Sequence, residues 1–138
     1  MIGNHDDWWL GDRSARNLFE SIEQNDTVGL TGLDTTRPDS VEIVNLSHFP
    51  YREDLAYGWP DDALRFRDKA LSFDGRRLLY GHTHQLAPEG ARPEALNAGL
   101  DAWNLESVSE IRIAERFRAH AGNAPSAAML DMPTDGRR

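Results

Sequence analysis

The chain has 138 residues, 39% hydrophobic and 28% charged, proportions of a single globular domain, and no run approaches the roughly 18 apolar residues that span a bilayer. A formal net charge of -8 disfavours general attraction to nucleic acid, whose binding draws most of its affinity from Lys and Arg on phosphates. The absence of cysteine excludes disulfides, thiolate metal sites and Cys nucleophiles, so any metal must be held by His, Asn, Asp or Glu, a donor set suited to Zn, Mn or Fe.

The N-terminus lacks the charged-then-apolar order of a signal peptide, and the expected location is the cytoplasm. From Arg13 to Gln24, Leu18, Phe19 and Ile22 recur at near-helical spacing and predict a short amphipathic helix. The turn-rich stretch Asp34 to Asp39 precedes an apolar alternation of Val41, Ile43 and Leu46, read as a strand that runs into His48. A second helix is expected from Pro60 to Ser72, carrying Leu64, Phe66 and Leu71, with Asp74-Gly75 breaking it. Arg77 to Tyr80 and Ala95 to Leu100 are short apolar runs read as strands. Ser107 to His120 predicts a last helix on Val108, Ile111, Ala114, Phe117 and Arg118. Beyond it, residues 121–138 are rich in Ala, Pro, Gly and Asp and read as a flexible tail. Helices and strands alternate, which predicts the α/β class.

Four of the five histidines fall in three short clusters: His5 in Gly3-Asn4-His5-Asp6, His48 after the first predicted strand, and His82 with His84 after Leu78-Leu79-Tyr80. Imidazole is the commonest ligand for borderline metals, and clusters at strand ends can converge on one edge of a sheet. In an extended segment His82 and His84 project to the same side. Taken singly, each cluster has a plainer reading: Gly-His-Thr-His as a polar loop, and Gly-Asn-His-Asp as a turn.

In this order, Gly3-Asn4-His5-Asp6, Ser47-His48-Phe49-Pro50 and Gly81-His82-Thr83-His84 resemble the third, fourth and fifth motifs of the calcineurin-like metallophosphoesterase superfamily. Asn97-Ala98-Gly99-Leu100-Asp101-Ala102-Trp103 resembles the segment after the Gly-His-x-His motif in small bacterial members, so the likeness spans roughly residues 2 to 115. The resemblance implies a fold of two β-sheets in a sandwich flanked by helices, with residues 1–120 forming the C-terminal portion of that domain. It implies that Asn4, His48 and His82 ligate one divalent metal and His84 a second, with Mn, Fe or Zn as the ions. His5 is then the catalytic residue facing a phosphate oxygen, held by Asp6. The implied activity is phosphoester hydrolysis by water that the metal pair activates, attacking phosphorus in line without a phosphoenzyme.

The family's two earlier motifs, Asp-x-His and Gly-Asp-x-x-Asp, do not precede Gly3. Gly11-Asp12-Arg13 imitates the start of the second, but it follows the Asn-His-Asp cluster and has Ala15 where the second Asp belongs, so Asp12 is read as a surface residue. The N-terminal strands and motifs are therefore missing from this reading, and the chain is expected to be a truncated product or fragment, inactive by itself. A noncatalytic metal-binding or interaction module derived from that fold is the competing reading, and a mononuclear hydrolase built on Asn4, His48 and His82 is a third. Trp8, Trp9 and Trp103 are read as packing residues, Arg52 as a surface cation and His120 as solvent-exposed.

Overall fold

The computed structural model describes residues 12, 14, 17, 23–56 and 61–123. The expected Arg13–Gln24 helix and the residues Asn4, His5, Asp6, Trp8 and Trp9 lie largely or wholly outside them. Strands β1 (Asn25–Leu30), β2 (Glu42–Ser47), β3 (Leu78–Tyr80) and β4 (Ala95–Asn97) form one mixed sheet in the order β1-β2-β3-β4. Among the described residues two helices accompany it, a single turn α1 (Asp62–Arg65) and the longer α2 (Glu110–Asn123). The α/β class is thus present, and the described residues hold one four-stranded sheet.

β1 pairs antiparallel with β2, from Asn25 opposite Ser47 to Leu30 opposite Glu42. The loop between them is tied by Asp34, whose carboxylate accepts hydrogen bonds from the amide and hydroxyl of Thr36. β2 and β3 run parallel, with Leu46 opposite Leu79, and β3 and β4 run parallel, with Tyr80 opposite Asn97. Central parallel strands are covered on both faces, which explains why all three residues of β3 are buried.

One face of the sheet receives α2. Ile113, Ala114 and Phe117 pack on Leu30, Val44, Leu79, Leu96 and Trp103. Fully burying an apolar side chain of this kind contributes about 1.5–3 kcal/mol. Ser109 caps the helix by accepting a hydrogen bond from the Arg112 amide, and Glu110 accepts from the Thr31 amide and hydroxyl, which pins the helix start to the end of β1. The opposite face is covered by Tyr51, beside Leu78, Tyr80 and Ala95, and a third cluster joins Phe49, Leu55, Phe66 and Ala70.

Several expectations change. The buried apolar residue of β2 is Val44, while Val41 and Ile43 are exposed. On α2, Ile113 takes the inward position and Ile111 faces solvent, because the helix begins at Glu110 and its inward stripe is set by Phe117. The expected Pro60–Ser72 helix is confined to α1. Phe66 carbonyl accepts from the Lys69 and Ala70 amides in a tight turn that seats Phe66 and Ala70 against Phe49 and Leu55. The strand expected to reach Leu100 ends at Asn97, and Leu100–Trp103 is a 3-10 turn. His120 is half-buried, its Nε2 donating to the Arg92 carbonyl at 3.1 Å. Arg52 is also partly buried and donates through Nη2 to the Ala70 carbonyl, so it braces the fold rather than standing free at the surface.

Candidate metal centre

Because β2 and β3 are adjacent and parallel, their C-terminal ends reach the same edge of the sheet, the edge where open α/β sheets bind ligands. His48 and His82 each follow such an end, and the Gly81 amide bonds the His48 carbonyl at 3.2 Å, tying the two loops together. The result is that His48 Nε2 stands 3.1 Å from His82 Nδ1. Two nitrogens each about 2.0–2.1 Å from a common ion are separated by about 2.8 to 3.4 Å for octahedral or tetrahedral angles. The observed spacing therefore fits a pair of ligands on one ion, and equally a hydrogen bond in which one ring is the donor.

The pair has an apolar wall. Phe49 meets the edge of His48 at 4.9 Å between centroids and lies 4.8 Å from His82, and Phe66 meets His82 at 5.2 Å while stacking on Phe49. His82 is buried and His48 is half-buried. Rings on that side keep water away and lower the local dielectric, which strengthens any charge interaction of the imidazoles. Phe49 is held in turn by its amide, which donates to the Ser47 hydroxyl.

Gly-His-Thr-His is not an extended segment. Residues 82 and 83 form a turn, and His84 has the left-handed backbone conformation, φ 48°. Strand alternation therefore does not set the relative directions of His82 and His84. His82 turns inward, whereas His84 is exposed and its Nδ1 lies 2.6 Å from Asp101 Oδ2. Left-handed geometry costs a non-glycine residue about 1–3 kcal/mol, a penalty that the short His84–Asp101 bond helps to offset.

Asn97, fully buried at the end of β4, organises this loop. Its amide nitrogen faces the Thr83 hydroxyl at 3.4 Å and the Gln85 carbonyl at 3.5 Å, and its Oδ1 accepts from the Gly99 amide at 2.9 Å. The Asn97 carbonyl accepts from Trp103 Nε1 at 2.9 Å, which confirms Trp103 as a packing residue and anchors the 3-10 turn that carries Asp101. Gly99 allows this close approach. A Cβ there would sit 3.0 Å from Asn97 Oδ1 and 3.1 Å from the Gly81 carbonyl.

Further out, Arg92 clamps the flanking loops. It forms a two-pronged ion pair with Asp54 and lies over the ring of Phe73 at 4.4 Å, and the Asp54 hydrogen bond holds its guanidinium pKa above the usual value. Tyr51, behind the sheet edge, has its phenol pKa raised, chiefly by burial.

Comparison with protein-family models, curated proteins and solved structures gave no match.

Among the described residues, no group of three or more His, Asp or Glu is assembled to hold a metal. His48 and His82 are brought together, His84 is set apart with Asp101, and Asn4, His5 and Asp6 lie outside the described residues. Asp101 is the partner that sequence patterns did not assign. The available signal was its place four residues past Asn97, because β4 is parallel to β3 and delivers it to the same edge. A cleft of about 490 Å³ lined by Leu33, Asp34, Glu42, Arg77 and Arg118 opens at the other end of the strands. Its cations are already engaged, Arg77 by Glu42 and Arg118 by the Gly32 carbonyl.

Proposed function

We propose that the chain carries part of the site of a metal-dependent phosphoester hydrolase, with its sheet as one of the two in a metallophosphoesterase sandwich. The observation that carries this reading is the 3.1 Å approach of His48 Nε2 to His82 Nδ1 at the ends of two parallel strands. The motif order, Gly-Asn-His-Asp before Ser-His and Gly-His-Thr-His, supports it.

On this reading His48 and His82 hold one divalent ion with Asn4, and His84 offers Nε2 to a second. When bound, such ions supply positive charge to a phosphate ester and lower the pKa of water to a range where it is a nucleophile. His5 donates a hydrogen bond or proton to a phosphate oxygen and Asp6 orients its ring. Phe49 and Phe66 shield the imidazole pair from bulk water. The substrate class is a phosphate mono- or diester.

The test loads the full chain with Zn or Mn, measures retained metal by mass spectrometry, and assays an aryl phosphate monoester and diester. Retained metal that disappears in both His48→Ala and His82→Ala supports the site. Retained metal without turnover fits a hydrolase that lacks the Asp-x-His and Gly-Asp-x-x-Asp motifs. A version with those motifs restored upstream separates it from the noncatalytic metal-binding module, which stays inactive. Equal metal in the wild type and both variants would remove His48 and His82 from the centre.

A further inference from the structure

Asp101 lies in the 3-10 turn Leu100–Trp103 and its Oδ2 is 2.6 Å from His84 Nδ1. An ionised carboxylate only accepts hydrogen bonds, so the proton in this contact belongs to Nδ1 of the imidazole. Free neutral histidine favours the other tautomer, with the proton on Nε2. The turn is not a loose surface loop: Trp103 Nε1 bonds the Asn97 carbonyl and the Gly99 amide bonds Asn97 Oδ1, and Asn97 lies on the strand next to the one that delivers Gly-His-Thr-His. His84 meets the carboxylate by adopting a left-handed backbone, φ 48°, that residues with a side chain seldom take.

We propose that Asp101 is the positioning residue of His84. It keeps the proton on Nδ1, fixes the plane of the ring, and leaves the lone pair on Nε2 for a divalent cation. The carboxylate–histidine pairing is the arrangement by which metal-ligating imidazoles are oriented and made more basic. The cation part of this inference rests on the reading of His84 as a metal ligand, whereas the tautomer part stands on the hydrogen bond alone.

The experiment separates the two. Nitrogen-15 correlation spectra of the metal-free full chain, recorded with the ring neutral, report which nitrogen of His84 carries the proton. The expected result is Nδ1–H in the wild type, moving toward Nε2–H in Asp101→Ala. Asp101→Asn keeps the side-chain size, and because an amide can donate as well as accept it should also relax the tautomer. Both variants should melt as cooperatively as the wild type, since Asp101 is partly exposed. Competition against a zinc indicator should then show zinc binding that is lost or weakened in His84→Ala and about 10–100-fold weaker in Asp101→Ala. Zinc affinity unchanged in both His84→Ala and Asp101→Ala overturns the cation part. Nε2–H in the wild type, or a tautomer unchanged by both substitutions, overturns the assignment of Asp101. A chain that binds no zinc yet keeps Nδ1–H overturns the metal reading and leaves the positioning role of Asp101 in place.

Discussion

His48 and His82 are 34 residues apart in the chain, yet Nε2 of one and Nδ1 of the other approach to 3.1 Å. The approach follows from the parallel pairing of β2 with β3, which ends both strands at one level and turns both imidazoles against Phe49. Two facing nitrogens at this spacing must share a proton or a cation, since two lone pairs repel.

A ligand that binds only the folded chain stabilises it, by about 2.7 kcal/mol at a concentration 100 times its Kd. Zinc at that concentration is expected to raise the Tm of the wild type and to leave His48→Ala and His82→Ala unchanged. Scanning calorimetry with and without the metal checks this, and an equal rise in both variants would point to zinc held elsewhere.

Phe49 is completely buried and touches both histidines and Phe66. Replacement by Ala leaves a cavity behind the imidazole pair and is expected to cost about 3–5 kcal/mol, with Phe49→Leu costing less. Urea denaturation measures the difference. A loss below about 1 kcal/mol would mean that the aromatic wall collapses without penalty.

Asn97 joins the loop of His82 and His84 to the turn of Asp101. Asn97→Ala removes the acceptor of the Gly99 amide and the donor facing Thr83 and Gln85, and is expected to cost about 1–3 kcal/mol. Amide hydrogen exchange should quicken at residues 82–85 while staying slow in α2. Uniform acceleration across the chain would instead show that Asn97 supports the whole fold.

The acid limb of stability has an identifiable contributor. Hydrogen bonds from the hydroxyl and amide of Thr36, and then from Arg37, lower the Asp34 carboxyl from 3.8 to about 2. Its folded pKa is depressed, so its contribution is complete above pH 3.8 and is lost as the pH falls toward 2. Asp74 and Glu110 are shifted in the same direction: burial opposes the shift at Asp74 but hydrogen bonds from Arg76 and Asn45 outweigh it, and Thr31 lowers Glu110. Asp34→Ala should flatten the dependence of Tm on pH between 4 and 2, relative to the wild type. An unchanged slope would show that the Thr36 and Arg37 contacts do not persist in solution.

Local pattern was sufficient for β2, β3, the start of β4, α2 and the grouping of histidines at strand ends, because apolar spacing and turn residues act over a few positions. β1 escaped it. Asn25-Asp26-Thr27-Val28-Gly29-Leu30 offers only Val28 and Leu30 to the core, and its strand conformation comes from the antiparallel ladder with β2. Tertiary packing alone decided that Val44 rather than Ile43 faces α2, that the helix after Pro60 stops at Arg65 so that Phe66 can stack on Phe49, and that Arg52 and His120 bond to backbone carbonyls distant in sequence. The site divides in the same way. Residue types and their order name His48, His82 and His84, but alternation along a strand fixes side-chain direction only while the backbone stays extended. After Gly81 it turns, and from there the neighbouring strands decide that His82 meets His48 and His84 meets Asp101.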